Sequence, residues 1–168
     1  MQLRNLFATL SLAGALFAAP GEASAQGKSQ GAKVKVKVLK PLSLTSLQDL
    51  DFGTVAVPTI ASPVTISIGQ DGTLDCPAPL ACSGVAMPAL YNVKGSKEAA
   101  VIVTIVANDL VNPIDGSRLA FTPDGPDRIQ LPNNGNKGLD FAVGGAIRIE
   151  PDSSGDYEGT IEVVVDYE

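Results

Sequence analysis

The stretch AAVIVTIVA, residues 99–107, indicates the fold class most directly. It is short, rich in β-branched residues and apolar at both odd and even positions. In a strand, Val101 and Val103 would lie on one face and Ile102 and Val106 on the other. β-Branched side chains favour strands, and a run that is apolar on both faces is typical of a strand covered on both sides. The sequence therefore predicts a well-covered β-strand here, in the centre of a sheet.

Further short strands are predicted on both sides of this stretch, because apolar and polar residues alternate and turn residues separate the segments. Gly144-Gly145 interrupts the longest of them and indicates a bulge. Nine candidate segments together predict an all-β, antiparallel β-sandwich of about eight strands. The segments are 33–38, 50–52, 64–68, 85–93, 99–107, 119–122, 128–131, 139–149 and 160–167.

The first residues have the pattern of an export signal. An apolar run, residues 6–19, follows a basic residue and precedes the small-x-small triplet Ala23-Ser24-Ala25. The run is shorter than the roughly 18 apolar residues that a membrane-spanning helix needs. We therefore expect residues 1–25 to be a cleaved signal peptide and the protein to be exported to the periplasm or the cell surface. Residues 26–168 would form a single sandwich domain, with 26–32 as a flexible leader.

Composition and charge argue against several classes of function. The net charge of −6 disfavours nucleic acid and anionic lipid as partners. The chain contains no histidine, so it lacks the usual general base and the commonest transition-metal ligand. Oxygen-rich loops at 108–115 and 152–156 could hold calcium, but Asp and Asn are ordinary turn formers. We therefore expect a non-enzymatic protein with no catalytic residue, no cofactor and no assigned metal ligand.

Two cysteines, Cys76 and Cys82, lie in the segment CPAPLAC. In an exported chain such a pair is expected to form a disulfide. A redox or zinc function would require a different spacing, and zinc would require further ligands that the sequence does not offer nearby. The sequence therefore predicts a structural disulfide that closes a short loop.

The two ends of the chain suggest a function. The final segment alternates apolar and polar residues up to the tyrosine next to last, and a glycine precedes it by a fixed distance. This arrangement resembles the C-terminal signature of chaperone–usher pilus subunits. In that family the last strand pairs with a periplasmic chaperone until the N-terminal strand of another subunit replaces it. The matching residues are Gly155, Ile161, Val163, Val165 and Tyr167, and the candidate donor residues are Val34, Val36 and Val38.

Two interpretations of the terminal segments remain open. If residues 33–38 are a donor strand, the protein is a structural or adhesive surface subunit whose partners are neighbouring copies of itself and a periplasmic chaperone. If residues 33–44 are instead the first strand of the domain itself, no donor remains. The protein would then be a self-complete monomeric domain of the periplasm or the extracellular space that binds an unknown ligand. Both interpretations exclude membrane insertion.

Four sequence blocks, in order, carry a second resemblance. They are PLSL at 41–44, LDFGTV at 50–55, FAVGG at 141–145 and GDYEGT at 155–160. Across its mature length the sequence resembles an uncharacterised bacterial family, the domain of unknown function 4402. The resemblance implies an exported domain with an Ig-like or pilin-like sandwich fold and without an assigned activity.

Overall fold

The structure, a computed structural model, describes residues 27–134 and 136–168. The predicted signal peptide, residues 1–25, lies outside the described residues. The chain divides into two units after Val36, and each is considered separately. Residues 27–36 are exposed and carry no helix or strand, whereas the second unit contains all the described strands.

The described part of the chain contains strands and no helix. The all-β prediction is therefore confirmed. Thirteen strands are present where periodicity predicts about eight. Residues 43–48, which lack a clear alternation, form a six-residue strand, and loop-like segments contribute further strands of two or three residues. The strands are β1 (Ser43–Gln48), β2 (Thr54–Ala56), β3 (Val64–Ile68), β4 (Leu74–Asp75), β5 (Ala81–Ser83), β6 (Ala89–Lys94), β7 (Ala100–Ala107), β8 (Leu110–Val111), β9 (Arg118–Leu119), β10 (Phe121–Asp124), β11 (Arg128–Gln130), β12 (Leu139–Ile149) and β13 (Ile161–Tyr167).

All strand pairs are antiparallel and form two main sheets. The larger has the order β1-β6-β12-β3-β4, and β10 also pairs with β12; the smaller has the order β11-β7-β13. Two small sheets, β2-β5 and β8-β9, complete the fold. Strand β7 is thus the central strand of its sheet, as the sequence predicts. In its pairing with β13, Ala107 lies opposite Ile161 and Val101 lies opposite Tyr167.

The two main sheets enclose the larger of two hydrophobic clusters. Val93 and Val143 of the six-stranded sheet are completely buried, as is Val101 of the three-stranded sheet. Because both sheets contribute buried side chains to one cluster, the fold is a β-sandwich. A smaller cluster lies against the other half of β12. Its buried members are Ile66, Leu80, Leu119, Phe121, Ile147 and Ile149.

The outer face of β7 differs from the prediction that both of its faces are covered. Ile102 and Val106 are 44% and 53% exposed, and Val164 on the neighbouring strand is 42% exposed. The three-stranded sheet is an outer layer of the sandwich, so only one of its faces meets the core. The apolar character of the outer face therefore does not reflect burial within this chain.

Residues 33–38 do not form the half-buried strand that their alternation predicts. Val34, Val36 and Val38 are 93%, 84% and 83% exposed, and no strand is assigned to this segment. Alternation shows which face a strand would bury, but a strand forms only when another backbone accepts its hydrogen bonds.

Gly144 and Gly145 lie inside β12, which continues without a bulge from Leu139 to Ile149. The predicted bulge is therefore wrong, and close packing provides the reason for both glycines. A Cβ atom on Gly144 would overlap the carbonyl oxygen of Ile68, and one on Gly145 would lie 2.5 Å from the ring of Phe121. A neighbouring backbone on one side and an aromatic ring on the other leave no room for a side chain.

The predicted disulfide between Cys76 and Cys82 is present, with 6.2 Å between the two Cα atoms. Both cysteines pack against the smaller hydrophobic cluster; Cys76 directly follows β4, and Cys82 lies in β5, which pairs with β2. The disulfide thus fastens the loop between β4 and β5 to the core.

We expect the double substitution Cys76→Ser and Cys82→Ser to lower the free energy of unfolding by about 2 kcal/mol, because the closed loop is short. Urea denaturation of the oxidised wild type and the double variant measures this difference. A variant that is unfolded at 25 °C would contradict the expectation, since neither cysteine lies in a strand of the two main sheets.

Candidate strand-addition site

The last strand, β13, is paired on one side only within the described residues, where β7 is its neighbour. The Glu168 amide donates to the Ala100 carbonyl (3.2 Å), and the Asn108 amide donates to the Thr160 carbonyl (3.4 Å). In an antiparallel pair, successive residues direct their backbone groups to opposite sides. The even-numbered residues therefore bond to the β7 side, and the odd-numbered ones face away from it. We call these outward backbone groups the open edge, formed by Ile161, Val163, Val165 and Tyr167.

The side chains of β13 divide between its two faces. The side chains of the four open-edge residues point toward the core, are partly buried and pack against the larger hydrophobic cluster. Glu162, Val164 and Asp166 point outward and are exposed. The inward residues of β13 are thus less buried than Val93, Val101 and Val143, which have no exposed surface.

A cleft of about 760 Å³ lies beside the first residue of β13. One wall is the segment 49–57, the other is the segment 153–161, and Ile161 belongs to both the cleft and the open edge. The floor is apolar, and Phe52 from the first wall meets the ring of Phe121 edge-to-face, with 6.3 Å between the ring centroids. Polar groups of the walls line the cleft together with this apolar floor, and the volume would admit a small ligand.

Gly155 shapes the second wall of the cleft and is not part of the strand. Its φ of +95° is a left-handed conformation, and a Cβ atom there would lie 2.6 Å from Nδ2 of Asn112. Asn112 is buried, donates from Nδ2 to the Ser154 carbonyl (3.2 Å) and accepts the Ile114 amide at Oδ1 (2.9 Å). This buried amide therefore fixes the course of the 153–155 segment.

Tyr167 connects the end of β13 to the segment that precedes β1. Its hydroxyl donates to the Lys40 carbonyl (2.7 Å) and accepts the Ser96 amide (2.7 Å). The Lys40 amide in turn donates to Oγ of Ser96 (2.6 Å). These bonds hold Lys40 at the C-terminal end of β13. The sequence places Tyr167 only in the candidate strand-exchange interface, because a hydroxyl partner distant in sequence leaves no periodic signal.

The walls of the cleft carry acidic side chains, among them Asp49, Asp51 and Glu158. Tyr91 also lines the cleft and stacks on Phe141, with 5.6 Å between the ring centroids. Burial raises the pKa of Tyr91, and the nearby Asp49 carboxylate raises it further. Tyr91 is therefore a neutral phenol at physiological pH, and the charge around the cleft is negative.

Two aspartates in turn loops accept hydrogen bonds from backbone amides of the same turn. Oδ1 of Asp115 accepts the Ser117 amide (2.9 Å), and Oδ1 of Asp71 accepts the Thr73 amide (2.9 Å). Hydrogen bonds from these two neighbours lower the pKa of both carboxyls below the ordinary value. Within residues 27–134 and 136–168, no cluster of three or more Asp, Glu or Cys side chains has a metal-binding arrangement.

The structure brings together part of the residue set that the sequence suggested. The four alternating residues of β13 form one edge, and Gly155 lies beside them in the wall of the cleft. Val34, Val36 and Val38 are exposed, and their pairing with another chain remains a prediction. Sequence reasoning missed the opposite wall, although Leu50 and Phe52 alternate there with Asp49 and Asp51.

These features define a class of protein, an antiparallel β-sandwich whose C-terminal strand has a partner on one side only in the part of the chain that the structure describes. A family model described as a domain of unknown function (DUF4402) matches residues 42–167, so the chain belongs to that family. No curated protein matches the chain. No solved structure matches it either.

Two observations bear on location. The Cys76–Cys82 disulfide is compatible with an exported protein, because such bonds persist in oxidising compartments. Within the described residues, no helix is long and apolar enough to cross a membrane.

Proposed function

We propose that this protein is a non-enzymatic, exported structural or adhesive subunit of the cell surface that assembles by strand exchange. Residues 33–38 of one copy, here called the donor segment, add to the open edge of β13 in the next copy. A periplasmic chaperone covers the open edge before assembly. The observation that carries the proposal is that, among residues 27–134 and 136–168, β13 has a strand partner on one side only and the alternating segment 33–38 is exposed and in no sheet.

Backbone chemistry supports this pairing. An edge strand presents unpaired amide and carbonyl groups, and proteins ordinarily protect such edges because they pair with other chains. Strand addition satisfies these groups, while alternate side chains of the added strand fill positions along the core. The donor segment has the required alternation, with three exposed valines on one face. The partly buried inward residues of β13 form the surface that those valines would cover.

The triple substitution Val34→Ser, Val36→Ser and Val38→Ser is expected to abolish assembly, because it removes the apolar face of the donor segment and retains its length and charge. Purified wild-type protein should form oligomers that survive detergent in the cold and dissociate to monomer on boiling. Gel electrophoresis with and without boiling, together with light scattering after gel filtration, measures the change.

The double substitution Val85→Ser and Ile114→Ser is a matched control. These residues are 71% and 89% exposed and lie away from both terminal segments in sequence, so oligomers should persist. Oligomers that are unchanged in the triple-serine variant would refute the donor assignment.

A second candidate function rests on the cleft. Its volume of about 760 Å³ and its apolar floor also suit a monomeric domain that binds a ligand between segments 49–57 and 153–161. A wild-type protein that stays monomeric at all concentrations and refolds reversibly alone would favour this alternative.

A further inference from the structure

We infer that strand exchange between copies follows a charge-matched antiparallel register, in which Lys37 and Lys33 of the donor segment lie opposite Glu162 and Asp166 of β13. This inference rests on the proposed function and names the partner as a second copy of the same chain. The supporting observation is that the two segments have complementary patterns on both of their faces.

The inward faces match in this register. Val34 would lie opposite Val165, Val36 opposite Val163 and Val38 opposite Ile161. Each pair joins a valine that is exposed in the free chain to an aliphatic residue of β13 that is only partly buried. Cross-strand aliphatic pairs of this kind are the stabilising units of a sheet.

The outward faces match in charge. The donor segment presents Lys33, Lys35 and Lys37, whereas β13 presents Glu162, Val164 and Asp166. Within the described part of the chain, neither Glu162 nor Asp166 takes part in a salt bridge. Lys35 would lie opposite Val164, which is 42% exposed. A lysine stem can cover apolar surface while its ammonium group stays in water.

Backbone geometry favours the antiparallel direction. Since the odd-numbered residues of β13 direct their backbone groups to the open edge, an antiparallel partner places the even-numbered residues in non-hydrogen-bonded pairs. Side chains are closest in such pairs, with about 4.5 Å between the Cα atoms. The lysines and the acids would therefore occupy the positions where opposite charges attract most strongly.

Other registers are less favourable. A shift by one residue would turn the lysines toward the core. A shift by two residues toward the chain end would place Lys33 beside Glu168, whose carboxylate is already paired with Arg128 at 2.6 Å. That shift would also leave Ile161 without a valine opposite it.

Exchange of the charges tests the inference. The variant Lys33→Glu with Lys37→Glu and the variant Glu162→Lys with Asp166→Lys should each assemble roughly tenfold more weakly than wild type, because like charges then face each other at two positions. An equimolar mixture should restore assembly, because every donor of one variant is complementary to β13 of the other. Light scattering across a concentration series measures each case. The control variant Lys28→Glu with Lys97→Glu makes the same charge change at exposed positions and should assemble as wild type does.

Cysteine trapping tests the register. A copy with Val36→Cys should form an intermolecular disulfide with a copy carrying Val163→Cys, and not with one carrying Val165→Cys. A disulfide with Val165→Cys would instead indicate the antiparallel register shifted by two residues, or the parallel arrangement that places Lys33 opposite Glu162. Trapping at Val165 would overturn the register. Charge variants that assemble as wild type does would overturn the charge matching. Neither result would affect strand exchange itself, which the triple-serine variant tests separately.

Discussion

Replacing Gly144 with alanine is expected to destabilise the fold by about 3 kcal/mol or more. The new methyl group would overlap the carbonyl oxygen of Ile68, and the next atoms it meets also belong to the backbone of that segment. Ile68 is buried and pairs with both β12 and β4, so its carbonyl cannot move without separating the strands. Because native domains have only about 5–15 kcal/mol of stability, such a loss should be evident in urea denaturation and in soluble yield.

Two other glycines separate the steric cost from the torsional cost. Gly116 has a φ of +75° and no heavy atom within 4 Å of its Cβ position, so Gly116→Ala should cost only the torsional penalty of about 1–2 kcal/mol. Gly31→Ala has no neighbour within 4 Å and should leave stability unchanged. If Gly144→Ala were as stable as Gly31→Ala, β12 and β3 would have to separate at little cost, contrary to their close packing.

The substitution Tyr167→Phe is expected to lower the free energy of unfolding by about 2 kcal/mol, because it leaves the Lys40 carbonyl and the Ser96 amide without their partner. Its ring can remain against the larger hydrophobic cluster. The loss should therefore come from the hydroxyl alone. Because the Ser96 amide loses its acceptor, its hydrogen exchange should also accelerate.

Tyr157→Phe is a matched comparison, because it also removes one phenolic hydroxyl. That hydroxyl contacts only Oγ of Ser117 (2.9 Å) among the described hydrogen bonds, so its removal should cost about 1 kcal/mol or less. Equal losses in both variants would show that the bonds from Tyr167 to Lys40 and Ser96 do not hold the two ends of the domain together.

Sequence reasoning succeeded where the signal is local. The alternation of Ile161 to Tyr167 predicts β13 and its inward residues, and a single pair of cysteines in a chain with an export signal predicts the disulfide. It failed where the answer depends on contacts between distant segments. Gly144 looked like the site of a bulge because glycine breaks a strand pattern, whereas its actual constraint is a carbonyl group from residue 68.

By itself, the sequence determined the all-β class, the positions of β7, β12 and β13, the disulfide and the family, but it did not predict β1. These properties follow from periodicity and spacing, which each segment carries independently of its neighbours. Only the tertiary structure decided that β13 lies at an edge, that the face of β7 bearing Ile102 and Val106 is exposed, and that residues 33–38 form no strand. Alternation shows which side chains a strand would bury, but burial and pairing depend on which backbones meet, and segments far apart in the sequence decide that.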